Sequence, residues 1–281
     1  MKQQLLSDDW GVSLKEKVKV AISRLQTFEA QALEMDQEHG YYLCFSGGKD
    51  SIVIKRLAEM SEVRFSPHYS VTTIDPPELV RFIKKEHQDV VFDHKPKCFF
   101  TVMAEDKGFP IRQNRWCCQV FKEGGGDGRV KVAGIRWSES DRRRKLWKVM
   151  TRWDPNAHGS KGTASWILNP IIDWTDEDVW AFIHGESIPY CSLYDEGYKR
   201  LGCIGCPMAG SVGVNRDFAR WPKYEKAWRR AFHRLWDRRH GEIMTRGKRK
   251  GMRWPGLPRI NNADDLFAWW RSGNSTPEED G

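Results

Sequence analysis

The chain has no apolar run approaching the roughly twenty residues that a membrane-spanning helix requires. Its first residues, "MKQQLLSDDWGVSLKEKV", carry neither an apolar core segment nor a small-residue cleavage site, so nothing there marks it for export and a cytoplasmic home is expected. There is no GxxxxGK[ST] pattern, which excludes the common P-loop, and there are no internal repeats. The eight histidines form no metal-ligand spacing, and no cysteine follows Cys206. In a cytoplasmic setting disulfides are disfavoured, so the seven cysteines point instead to metal or redox chemistry wherever they pair closely.

What is present reads as a soluble α/β protein. The length of 281 residues suits one large domain, or a domain with an appendage. Forty-six Lys and Arg against 38 Asp and Glu leave a formal charge of +8, a balance that favours polyanionic partners. Fourteen tryptophans are unusually many, and packing is the ordinary role of any one of them.

Apolar positions Val18, Ile22, Leu25, Phe28 and Leu33 fall at helical spacing and predict a leading amphipathic helix. From "YYLCF" at 41–45 onward the pattern alternates. Helix "SIVIKRLAEM", strand "HYSVTTI", helix "PELVRFIKKEH", strand "DVVF", helix "FFTVMAEDKG" and strand "RVKVAGI" follow one another. That alternation predicts a parallel sheet with helices on both faces, with ligands at the carboxyl ends of its strands. Further on, Thr175 with Asp178 three residues later is a helix cap. Tyr224, Trp228, Phe232 and Trp236 draw one aromatic stripe on an otherwise basic helix. The resulting division is an N-terminal helix at 1–37, a nucleotide-type domain at 38–215 with the cysteines, and a basic, helical, Trp-rich extension at 216–281.

The stretch "YYLCFSGGKDS" at 41–51 joins a buried strand to a helix through Gly47 and Gly48. Glycines there let main-chain amides approach a ligand, and the helix start that follows favours an anion, with phosphate the natural guest. Ser46, Gly47, Gly48, Lys49, Asp50 and Ser51 match SGGxDS, and on these residues the sequence resembles the PP-loop ATP pyrophosphatases. The resemblance implies the adenine nucleotide alpha hydrolase-like fold, ATP or a related nucleotide as ligand, and attack on its α-phosphate with release of pyrophosphate. Lys49, Asp50 and Arg136 would then be catalytic, with Mg²⁺ as a cofactor. "VTTIDPPE" at 71–78 is similar to a strand-end segment of phosphoadenosine phosphosulfate (PAPS) reductases, although Pro76 and Pro77 replace the expected Thr-Gly and leave the role of Asp75 open. "GIRWSESDRRR" resembles the same family's nucleotide element, which adds Gly134, Arg136, Glu139, Ser140 and Arg142 as candidates. "NPIIDWTDEDVWAFI" and "IPYCSLYDEGYKRLGC" extend the likeness over about residues 38–210.

Cys203 and Cys206 form a CxxC pair that can present two thiolates to one metal, and Cys117 and Cys118 are adjacent. Assimilatory adenylylsulfate reductases hold a 4Fe-4S cluster with such a CC...CxxC set. The resemblance therefore implies an iron-sulfur cluster on these four, with zinc as the alternative and Cys191 as a replacement for Cys117. Cys44 and Cys98 are expected to be buried apolar residues. Sulfonucleotide reductases also carry a catalytic cysteine near the C-terminus, and its absence here turns the expectation towards the DndC and SspD proteins of DNA phosphorothioation. That likeness implies an ATP pyrophosphatase and sulfurtransferase with DNA and a cysteine desulfurase as partners. PAPS or adenylylsulfate reduction and tRNA thiolation are the alternatives. The basic helix at 221–240 and "RGKRKGMRW" at 246–254 would track the phosphate backbone, and whether the chain forms a homo-oligomer is open.

Overall fold

The computed structural model describes residues 12–154, 163–244, 251–252, 254–257 and 260–273. The loop "WDPNAHGSKGT", the basic run at 246–250 and the polar tail fall wholly or largely outside the described residues. In chain order the elements are α1 (Val12–Thr27), α2 (Glu29–Met35), β1 (Tyr41–Cys44), α3 (Lys49–Met60), β2 (Phe65–Ser70), α4 (Pro77–Glu86) and β3 (Val91–Asp93). There follow α5 (Phe99–Val102), α6 (Trp116–Phe121), β4 (Val130–Val132), α7 (Asp141–Leu146), β5 (Met150–Trp153), β6 (Ser165–Leu168) and α8 (Asp176–Gly185). Last come α9 (Gly210–Arg220), α10 (Pro222–Arg239) and α11 (Ala263–Arg271). The chain forms two compact units that interleave in sequence. The first holds Met1–Val71, Pro77–Asp93 and Gly124–Leu201, and the second holds Thr72–Pro76, His94–Glu123 and Gly202–Gly281.

All six strands belong to the first unit and make one sheet in the order β3-β2-β1-β4-β6-β5. Every pairing is parallel except β5 with β6, so the fold is a mostly parallel sheet with helices, as the alternation predicts. Tyr41, Tyr42 and Leu43 are all buried, which covers both faces of β1 and explains why this strand is apolar without a break. The order builds outward through β1, β2 and β3 on one side, then through β4 and β6 on the other. The reversal falls between β1 and β4, and a crevice at such a switch point is where open α/β sheets take ligands.

Local sequence explains most boundaries. The leading helix is two, because the chain bends at Phe28 (φ −100°, ψ 5°), and its buried stripe is Leu14, Val18, Ala21 and Leu25. β2 starts at Phe65, earlier than the pattern suggests, since Pro67 cannot donate to a sheet ladder and disguises the strand. Thr175 accepts from the Asp178 amide at 3.2 Å while Asp178 accepts from the Thr175 amide at 2.7 Å, so the cap of α8 forms as its spacing predicts. The β5–β6 hairpin has four residues per strand, too few for a clear period, and was not foreseen.

The second unit is helical, with an aromatic core. Trp228 stacks on Trp270 with centroids 4.5 Å apart, Phe99 on Trp116 at 5.5 Å, and Phe232 and Phe267 close the cluster at 5.3 Å. Each buried ring contributes on the order of 2–3 kcal/mol. Two of the indole N–H groups that this buries find carbonyls, Trp228 donating to Ile204 at 3.1 Å and Trp270 to Pro110 at 2.8 Å, whereas that of Trp116 has no partner among the described residues. The stripe on α10 is therefore core, with Trp228 and Phe232 fully buried.

Arg24 of α1 grips Asp173, two residues before the α8 cap, with both guanidinium arms at 2.8 and 2.9 Å. Burial alone would raise the Asp173 carboxyl, but the Arg24 hydrogen bonds outweigh it and hold the pKa below 3.8. Asp173→Asn is expected to cost about 1–2 kcal/mol at neutral pH in urea unfolding. Because the folded pKa is depressed, the wild-type advantage is full above about pH 4 and fades as pH falls through the folded value. A variant that loses as much stability at pH 3 as at pH 7 would show that the carboxylate charge is not what holds α1.

Candidate functional site

The first unit places residues 45–48 at the end of β1, beside the switch point. Gly47 has φ +70°, and a Cβ there would stand 2.7 Å from Leu79 and 2.8 Å from Ile83, so both the turn and α4 require glycine. Gly48 starts α3 without a side-chain cap. The Lys49 amide donates to the Tyr194 hydroxyl at 2.8 Å, whereas the Gly47 and Asp50 amides make no hydrogen bond among the described residues. Ser51 donates to the Gly48 carbonyl at 2.8 Å and Ser46 to Ser51 at 3.2 Å, so both hydroxyls brace the loop.

Across the switch point, β4 runs out through Gly134 to Arg136. A Cβ on Gly134 would lie 2.9 Å from that of Asp50, so the first turn of α3 rests directly on this strand end. Arg136 is only 2% exposed. Its Nε donates to Asp50 at 2.7 Å, Nη1 to Ser138 at 2.9 Å and to the Trp174 carbonyl at 3.3 Å, and Nη2 to Asp176. Lys49, also buried, lies 3.5 Å from Asp50 and 3.4 Å from Asp176. Two cations and two carboxylates thus form one neutral cluster at the strand ends. Burial works against ionisation of Asp176, but the Arg136 hydrogen bond and Lys49 prevail and lower its pKa. The guanidinium is engaged by protein on three sides, which makes Arg136 a positioning residue for Asp50 and Asp176.

The remaining predicted nucleotide residues divide. Glu139 accepts from the Arg136 amide at 3.1 Å and pairs with Arg143, while Ser140 caps α7 by accepting from the Arg143 amide at 3.2 Å. Arg142 is exposed, whereas its neighbour Arg143 is half-buried, and burial lowers its pKa against the opposing pull of Glu139. Asp176 and Tyr194 were not foreseen. Asp176 reads in sequence as one acid in the helix-capping run "DWTDED", and nothing local separates it from Glu177. Asp75 belongs to the second unit, where it is buried and accepts from the Thr72 amide at 2.9 Å.

In the second unit Cys117, Cys118, Cys203 and Cys206 line one cavity of about 40 Å³, together with Lys122, Thr72 and Phe121. Gly205 shapes the CxxC turn with φ +75°, and a Cβ there would lie 2.8 Å from the Trp228 indole nitrogen. Ile204 donates to the Ile74 carbonyl at 2.8 Å and Gly205 to buried Asp217 at 3.1 Å, so the turn is tied at two amides. Cys118 receives hydrogen bonds from Cys117 and, at 3.3 Å, from Arg115, which lower its thiol to about 5, and Cys117 is raised correspondingly. Cys203, then Asp75 and Cys118, hold the Lys122 ammonium above its ordinary range. Four sulfurs around one cavity, with a cation to offset thiolate charge, fit a thiolate-held metal group chemically. Among the described residues no three His, Cys, Asp or Glu side chains already converge as ligands.

Cys191 belongs to the first unit, is buried, and does not line this cavity. Cys44 is partly buried, and burial pushes its thiol up to about 11. Cys98 departs from expectation: it is exposed, and although burial would raise its pKa, hydrogen bonds from the Thr101 hydroxyl and the Thr101 and Phe100 amides lower it. The turn that starts α5 faces Cys98 to solvent, which its apolar neighbours Phe99 and Phe100 conceal in the sequence.

Residues 40–209 match the family of the phosphoadenosine phosphosulfate reductase domain. An uncharacterized protein of Methanocaldococcus jannaschii is 28% identical over 225 residues, 73% of this chain and 53% of that protein. The adenosine 5'-phosphosulfate reductase of Allochromatium vinosum is 33% identical over 140 residues, 48% of this chain and 50% of that enzyme. The chain thus spans about half the length of these curated relatives. Among solved structures, Candida auris PAPS reductase in its phosphate complex shares 17% identity over 70% of this chain and 97% of its own, with a TM-score of 0.45. Candida glabrata FMN adenylyltransferase shares 18% over 73% and 67%, with a TM-score of 0.49.

Arg136→Ala removes the guanidinium from Asp50 and Asp176, leaving them Lys49 alone, and is expected to destabilise the chain by about 3 kcal/mol, measured by urea unfolding. Arg136→Lys restores one charge but not the fork and recovers only part of this. Unfolding midpoints equal to wild type in both variants would show that the guanidinium is not a brace.

Proposed function

This chain belongs to the phosphoadenosine phosphosulfate reductase domain family, and from that premise we propose that it is an adenine-nucleotide enzyme of the PP-loop type. It would release pyrophosphate to activate a phosphate group, in DNA, for sulfur transfer. The observation that carries the reading is the β1–α3 loop at the switch point, with unbonded amides at Gly47 and Asp50 and a cluster of Lys49, Asp50, Arg136 and Asp176 beside it. The four charges cancel, so they alone offer a polyphosphate no net attraction. Asp176 keeps Oδ2 unbonded among the described residues, and with Asp50 it suits Mg²⁺, which would supply the missing positive charge.

In the proposed reaction, an oxygen of the acceptor phosphate bonds to the α-phosphorus as the bridging bond to the β-phosphate breaks, and that electron pair leaves with pyrophosphate. Lys49 and the free amides offset the charge gathering on the leaving group, and Arg136 keeps Asp50 and Asp176 in register. A persulfide from a cysteine desulfurase then displaces AMP from the acceptor. A thiol reductant cleaves the remaining sulfur–sulfur bond and is itself oxidised to a disulfide. Cys117, Cys118, Cys203 and Cys206 would hold a 4Fe-4S cluster, which supplies one-electron chemistry when bound, or zinc in a structural role.

A second reading is adenylylsulfate or PAPS reduction, which the name of the Allochromatium relative supports. There a thiolate would attack the sulfate sulfur, the sulfur–oxygen bond to the nucleotide phosphate would break with release of the nucleotide, and a second thiol would free sulfite as the two thiols join in a disulfide.

Anaerobically purified protein should release pyrophosphate from ATP, and Lys49→Ala should slow this by about 100-fold. Sulfite from adenylylsulfate or PAPS would replace the first reading by the second. The metal is tested separately. Iron with inorganic sulfide and broad visible absorption, lost in the Cys203→Ser/Cys206→Ser protein, is expected, whereas colourless anaerobic protein with stoichiometric zinc would overturn the cluster.

A further inference from the structure

The positive charge of this chain is not spread evenly. The second unit carries 22 Lys and Arg against 13 Asp and Glu, a balance of +9, whereas the first carries 24 against 25, a balance of −1. The whole excess therefore sits in the helical unit. On α10 the core side is Trp228, Ala231, Phe232 and Leu235. At 100° per residue, Lys223, Lys226, Arg230 and Arg238 fall within a sector of about 120° on the other side, a row about 22 Å long. All four are exposed and make no hydrogen bond or ion pair among the described residues. Their basic neighbours are engaged, Arg229 with Asp264 at 2.6 Å and Arg234 with Glu105 at 3.3 Å, and Asp237 is the one acid of α10 in the sector.

We infer that this row is a docking surface for the phosphodiester backbone of a nucleic-acid duplex. A row of cations, about 6 Å apart where the spacing is four residues, complements the regularly spaced charges along the side of a duplex. Trp228 of α10 takes no part as a stacking platform, because it is sealed in the core. The surface deepens the proposed function by giving its phosphate acceptor a place to bind, and it rests on that reading only for the acceptor's chemistry.

The test is fluorescence anisotropy with a 20-base-pair DNA duplex, an RNA duplex of the same sequence and a single strand. Four phosphate contacts predict that wild-type affinity for the DNA duplex falls about 100-fold between 50 and 200 mM salt. Lys226→Ala/Arg230→Ala/Arg238→Ala should weaken binding by about tenfold or more at low salt and reduce the logarithmic salt slope by about three. Its thermal unfolding should match wild type, since the removed groups are exposed and make no hydrogen bond or ion pair among the described residues. Comparable binding of both duplexes supports backbone recognition. Tighter binding of the single strand, or a triple variant with the wild-type salt slope, would overturn the inference. Lys49→Ala separates the two claims: it should slow pyrophosphate release by about 100-fold and leave duplex affinity intact. Duplex binding without turnover in wild type would sink the proposed function alone, and turnover without duplex binding would sink this surface alone.

Discussion

The first unit depends on one buried guanidinium. Arg136 comes from the end of β4, Asp50 from the first turn of α3 and Asp176 from the first turn of α8, and the three meet where the strand order reverses. Without the arginine, two carboxylates would face each other with Lys49 alone between them. With it, the mouth of the switch point has one arrangement. The loop glycines are useful only because this brace sets where the loop ends: Gly134 lets the first turn of α3 rest on the end of β4, and Gly47 lets the turn clear α4.

The second unit solves a different problem, that of holding soft sulfur donors together without a disulfide. It does so through its aromatic core. The Trp228 indole both closes the space beside Gly205 and takes the Ile204 carbonyl, so the CxxC turn is shaped by the same ring that anchors α10. Asp217 caps the turn from α9 at the cost of burying a carboxylate, whose pKa burial raises. The cysteine-lined cavity and the aromatic core are therefore one construction, and the tryptophan richness of this chain has a structural purpose.

Local chemistry made much of this legible. A buried strand running into Ser-Gly-Gly, the Thr175 cap, the aromatic stripe of α10 and the pairing of cysteines each follow from neighbours within a few residues. What stayed hidden depends on partners far away in sequence. Asp176 could not be told from Glu177 by composition, Arg143 could not be told from Arg142 within a run of three arginines, and Cys98 looked apolar because of the phenylalanines beside it. β5 and β6 were too short to show a period, and Pro67 argued against the strand it occupies.

The sequence by itself determined that a phosphate-type loop follows a core strand, that four cysteines come in two close pairs, and that the chain is basic, because these rest on residue type and short-range spacing. Only the tertiary structure decided that Thr72–Pro76 and His94–Glu123 join Gly202–Gly281, which brings the two cysteine pairs to one cavity and collects the excess charge in one unit. It alone decided that the loop's cations are matched by two carboxylates. Charge balance and convergence belong to distances between residues 30 to 130 positions apart, and no local pattern encodes those.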